Sequence, residues 1–87
     1  MKENKKFFYC PIYTAILDIR SYEEHIEKPI NISNMKICWI PFYRLENEFK
    51  NLDQKITWLL YCEKGIMSKL QKIYLIKQGF KNVQLLI

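Results

Sequence analysis

Apolar positions along the chain follow two rhythms. Thr14–Ile19 is a nearly continuous apolar run broken only by Asp18, as expected of a strand covered on both faces. Met35–Ile40 and Thr57–Tyr61 read as further strands, the latter being the most β-prone stretch and therefore central. Between them the spacing becomes helical. Phe42, Leu45 and Phe49 fall on one face of a helix that Pro41 opens, and Met67, Leu70, Ile73 and Tyr74 mark a helix over about Met67 to Gln78. Val83 to Ile87 supplies a last strand.

The polar residues punctuate this pattern. Ser21-Tyr-Glu-Glu24 has the capping-box form S-x-x-E, so a short helix begins at Ser21 and Pro29 stops it. Asn51–Gln54 is a turn, and Cys62 to Met67 a loop. Gly79 followed by Phe80 is the glycine-plus-hydrophobe ending of a Schellman motif. Phe7–Tyr13, interrupted by Pro11, fits an edge strand or a packed arm. Residues 1–13 are thus read as an N-terminal arm and 14–87 as one domain. Strands alternating with helices over short connections predict an α/β fold with a parallel sheet.

Composition narrows the class. With 87 residues, 49% of them apolar and 15% aromatic, the chain has enough to bury for one small domain and is not a disordered segment. No apolar run is long enough to span a bilayer, and the basic start lacks the pattern of a secretion signal. Three cysteines without an export signal read as free thiols in a reducing cytoplasm. Two glycines, no sustained heptad and no paired Cys/His spacing exclude collagen, coiled coils and zinc ribbons. No metal or other cofactor is expected, and the single histidine, His25, is read as a surface or helix-packing residue. Trp39, Trp58 and Cys38 are expected in the core.

The charge is uneven. Residues 1–63 carry nine bases and nine acids, whereas residues 64–87 carry Lys64, Lys69, Lys72, Lys77 and Lys81 and no acid, so the whole +5 lies in the last quarter. Taken singly these lysines solvate a helix face; together they make a field that attracts an acidic partner.

Ligands and reacting groups gather at the carboxyl ends of strands in such sheets. Asp18 and Cys62 sit there. Cys62 faces the start of a helix, where unpaired N–H groups and the macrodipole favour thiolate over thiol. Lys64 adds positive charge, and Gly65 lets the loop turn so that several amides point at one spot. A sulfur held there can attack, or can carry a second sulfur as a persulfide; the competing reading is a small buried hydrophobe. A tyrosine-phosphatase loop, C-x5-R, is disfavoured because position 68 holds Ser68, not arginine.

Leu17-Asp-Ile-Arg-Ser21, Tyr61-Cys-Glu-Lys-Gly65 and Gln78-Gly-Phe-Lys-Asn-Val83 resemble segments of rhodanese-like domains. Lys28-Pro29, Pro41-Phe-Tyr43, Leu52-Asp-Gln54, Thr57–Leu60 and Cys62–Gln71 resemble the branch found at the C-terminus of bacterial tRNA 4-thiouridine sulfurtransferases, which also serve thiamine thiazole synthesis. The resemblance implies a minimal three-layer domain with a small, mostly parallel sheet flanked by helices. It implies that Cys62 takes sulfur from a cysteine desulfurase as a persulfide and passes it on. Backbone N–H groups of Glu63, Lys64, Gly65, Ile66, Met67 and Ser68 would cradle that sulfur, with Asp18 and Arg20 as supporting residues. Cys10 could stand in for the resolving thiol of that branch. The chain has no Gly-rich ATP-binding loop, so the resemblance also implies a tRNA-adenylating subunit or a sulfur-carrier protein as a further partner. The alternative is a non-catalytic rhodanese module that docks a protein partner through its basic helix.

Overall fold

A computed structural model describes residues 13–86. The elements run β1 (Thr14–Asp18), α1 (Tyr22–Glu27), β2 (Lys36–Trp39), α2 (Phe42–Glu48), a 3-10 turn (Phe49–Asn51), β3 (Thr57–Tyr61), α3 (Ile66–Lys77) and β4 (Val83–Leu85). The four strands form one parallel sheet in the order β2-β1-β3-β4. This is the α/β architecture the alternation predicts. β1 and β3 are the inner pair, in register from Thr14 opposite Thr57 to Asp18 opposite Tyr61.

The burial of each strand follows from that order. Ala15 to Asp18 are all buried on β1, whereas β2, at one edge, keeps Ile37, Cys38 and Trp39 only partly covered. Trp58 and Leu60 of β3 point into the core with Leu45 and Phe49 of the α2 segment, Leu75 of α3 and Val83 of β4. Trp58 therefore lies in the core as expected, at 1% exposed. Trp39 and Cys38 instead sit at its margin, because their strand has a neighbour on one side only.

The caps are formed as the sequence predicts. Ser21 accepts from the Glu24 N–H while the Glu24 carboxylate accepts from the Ser21 N–H, closing the capping box at the start of α1. At the end of α3, Phe80 N–H donates to Leu75 O and Gly79 N–H to Ile76 O, the two bonds of a Schellman motif. Gly79 has φ +104, which a side chain would resist, and the Phe80 ring then packs edge-on against Phe49 at 4.9 Å.

No described helix is long and apolar enough to cross a membrane. Cys10 and residues 7–12 of the aromatic arm lie outside the described residues.

Candidate active site

Three strand ends meet at one edge of the sheet. Ile19 N–H donates to Tyr61 O, Ile40 N–H to Asp18 O, and Phe42 N–H to Ile19 O. These bonds tie the exits of β1, β2 and β3 together and bring the starts of α2 and α3 beside them. Cys62 leaves β3 at this point.

The turn into α3 is sharp. Gly65 is its N-cap at φ +77, in the left-handed region, and offers no side chain to cap the helix. Ile66, Met67 and Ser68 then occupy the first helical turn, so all three belong to the helix rather than to the loop. The first N–H groups of a helix have no partner within it. Here the Ser68 N–H donates to Cys62 Sγ at 3.3 Å. Burial pushes the half-buried thiol up, but the Ser68 hydroxyl, the Ser68 N–H and the amides of Gly65 and Met67 outweigh it, and the thiol is held below its ordinary value. The Ser68 residue is 2% exposed, and its Oγ makes no hydrogen bond of good geometry among the described residues. That hydroxyl faces the sulfur, yet stands outside strict bonding geometry to it.

Of the six amides expected around the sulfur, those of Gly65, Met67 and Ser68 act on it. Glu63, Lys64 and Ile66 are exposed around the opening. Glu63 lies 3.8 Å from Lys28 Nζ, a solvent-exposed pair of little energetic weight. A cleft of about 290 Å³ opens beside the sulfur between Ile19, Arg20, Phe42, Cys62, Ile66 and Met67. A second hollow, about 230 Å³, reaches Cys62 from the other side, past Gly65, Ser68, Leu85 and Leu86.

Asp18 and Arg20 form a brace under this opening. The Arg20 Nε donates to Asp18 Oδ1 and its Nη2 to Oδ2, each at 2.9 Å, and the Arg20 N–H adds a third bond at 3.1 Å. Nη2 also donates to Lys28 O at 2.7 Å, closing the segment after α1 against the strand end. The guanidinium lies 5.0 Å over the Tyr61 ring. Burial alone would raise the Asp18 pKa, but the bonds from Arg20 and His25 outweigh it and hold the carboxyl below its ordinary value.

His25, expected as a surface or helix-packing residue, joins this group. Its Nδ1 lies 2.9 Å from Asp18 Oδ2, so that nitrogen carries the proton that the carboxylate accepts. Its ring stacks on Trp39 at 5.1 Å. The sequence places it near the H-I of general rhodaneses and on a capped helix, but its bond to Asp18 takes tertiary geometry to read. No group of three or more His, Cys, Asp or Glu side chains that could hold a metal occurs among the described residues.

A parallel sheet with a cysteine loop passing from its middle strand into a helix start is the architecture of the rhodanese-like domain, and that family matches this chain over residues 2–87. The chain belongs to the rhodanese-like domain family. Among its relatives, the tRNA sulfurtransferase of Tolumonas auensis is 54% identical over 70 residues, and those of Klebsiella pneumoniae and Escherichia coli O157:H7 are 51% identical over 70. Each alignment takes in 80% of this chain but only 14% of the relative, so the chain spans about one-seventh of the length of the curated relatives it matches. A crystal structure of a rhodanese-related protein from Thermoplasma volcanium superposes with a TM-score of 0.65 over 84% of this chain and 68% of that one. At 23% identity, that likeness concerns the fold.

Proposed function

We propose that this domain is a sulfurtransferase that carries sulfane sulfur as a persulfide on Cys62. The observation that supports this reading best is the convergence of the first-turn amides of α3 on Cys62 Sγ, with the Ser68 N–H at 3.3 Å. The thiolate attacks the terminal sulfur of a donor persulfide, R–S–SH. A new S–S bond forms to Cys62, the donor S–S bond breaks, and the donor leaves as R–S⁻ with the electron pair. The terminal sulfur keeps its proton and then loses it to water, leaving Cys62–S–S⁻. The amides that favour thiolate also favour this anion, whose charge lies one bond further out, toward the cleft.

In this reading a cysteine desulfurase in a reducing cytoplasm supplies the sulfur. The acceptor is a tRNA uridine activated by an adenylating subunit or domain, or a sulfur-carrier protein of thiazole synthesis. The relatives named tRNA sulfurtransferase favour the tRNA branch. Asp18, Arg20 and His25 are positioning residues that hold the strand ends. Cys10 is proposed as a resolving thiol only.

Incubation with a desulfurase and cysteine is expected to add one sulfur mass to the peptide bearing Cys62, and Cys62→Ala to abolish the adduct. Absence of the adduct in the wild-type domain, with a Cys62 of ordinary alkylation profile, would instead favour a non-catalytic docking module.

A further inference from the structure

α3 and β4 leave a second surface open. β4 is an edge of the sheet, and α3 lies across it. Between them Ile73, Ile76 and Leu85 floor a groove of about 420 Å³, and Lys69, Lys72 and Lys77 rim it. Ile73 is 49% and Ile76 45% exposed, so the helix presents apolar side chains on a face that none of the described residues covers. Lys72 Nζ donates to Gln84 Oε1 of β4 at 3.2 Å. No acid occurs from residue 64 onward, so nothing on these elements neutralises the rim.

We propose that this groove docks a protein segment whose apolar side chains fill the floor and whose carboxylates meet the three lysines. Charge complementarity selects the acid. The apolar floor selects protein over RNA, because a phosphate backbone has no apolar side chains to bury there. The groove also neighbours the site: Leu85 lines both it and the hollow that reaches Cys62 past Gly65 and Ser68. Lys69 to Lys77 span roughly 12 Å of helix at 1.5 Å per residue. Its Lys69 end is one residue from Ser68, whose N–H meets the sulfur, so a partner seated there approaches the cysteine loop at one end; the proposal rests on the relay reading for its purpose and names the surface that holds the sulfur-bearing partner.

A fluorescein-labelled peptide of twelve residues, with paired Glu flanking Leu on one helical face, is the probe. Anisotropy is expected to report binding by the wild-type domain that weakens with added salt. Binding is expected to fall at least tenfold in K69E/K72E/K77E and also in I73S, all changes at the surface. Cys62→Ala should bind the peptide as wild type does, and the triple variant should take up sulfur from cysteine hydropersulfide as wild type does. Those two controls separate the groove from the chemistry, since loss of sulfur uptake by the wild-type domain would strike the relay alone. Equal peptide affinity in the triple variant would overturn the proposal. So would bulk tRNA binding that the lysine changes abolish and I73S leaves intact, with no peptide binding.

Discussion

Asp18→Asn tests the brace beneath the cysteine loop. In the wild-type domain the Asp18 side chain is 0% and the Arg20 side chain 2% exposed, and the carboxylate accepts from Arg20 three times and from His25 once. Asparagine keeps the shape and can still accept at one oxygen. It removes the charge and turns the other position from acceptor to donor, toward Arg20 Nη2 and His25. The guanidinium is then buried without its counter-charge. Breaking a buried pair from one side costs about 3–5 kcal/mol. Here Nη2 keeps the Lys28 carbonyl at 2.7 Å and the pair lies at the rim of a cleft, which places the cost near the lower end, about 3 kcal/mol. Domains of this size melt about 4–8 °C lower per kcal/mol, so a fall of roughly 12–24 °C follows. Urea unfolding of wild type, D18N, R20M and the double variant measures it, as the cycle isolates the pair. A loss under about 1 kcal/mol in D18N, or strictly additive single changes, would refute the claim that this pair braces the strand ends.

Three further outcomes follow from the same geometry. Because the Asp18 carboxyl is held low in the folded protein, its contribution is complete above the unfolded value of about 3.9 and is lost as pH falls through the lower folded value; urea curves at pH 7 and at successive pH values below 4 are expected to show the gap between wild type and D18N closing. Ser68→Ala removes a buried hydroxyl that lacks a well-formed partner, so stability should stay within about 1 kcal/mol of wild type or rise, while the pH profile of Cys62 iodoacetamide alkylation, read by peptide mass to separate it from Cys10 and Cys38, moves up toward an ordinary thiol. Gly65→Ala meets no atom within 4 Å of the new Cβ, so its cost is that of the left-handed backbone alone, about 1–2 kcal/mol, read by thermal melting.

Local chemistry was legible in the sequence and sheet position was not. Ser21 with Glu24, and Gly79 with Phe80, state their structures in a few adjacent residues, because capping bonds are made between neighbours. Asp18 and Cys62 could be placed at strand ends from the alternation of elements alone. Trp39 could not be told from Trp58 in this way: both are aromatic residues in strands, and only the order β2-β1-β3-β4 puts one at an edge and the other inside. The same holds for His25, seven residues from Asp18, whose ring stacks on Trp39 of β2 and so reaches the carboxylate at the end of β1. The boundary at α3 was misplaced by one residue because Gly65, as an N-cap without a side-chain bond, leaves no polar signature of a helix start.

That missing signature is also what makes the site. A serine, threonine or aspartate at position 65 would bond the N–H groups of the first turn and satisfy them within the helix. Glycine leaves them free, and its positive φ turns the chain so that the amides of Met67 and Ser68 face back toward Cys62. The Ser68 hydroxyl is likewise buried without a well-formed partner, at a cost to folding that a purely structural helix start would not carry. Both departures act on one atom, the Cys62 sulfur, and both favour its anion. An arrangement that gives up capping and strict hydroxyl pairing at the same place is stabilised further when a negative charge occupies it. The first turn of α3 is therefore expected to tighten on ionisation or persulfidation of Cys62, which amide hydrogen exchange of residues 66–69 at pH values either side of the thiol titration would measure.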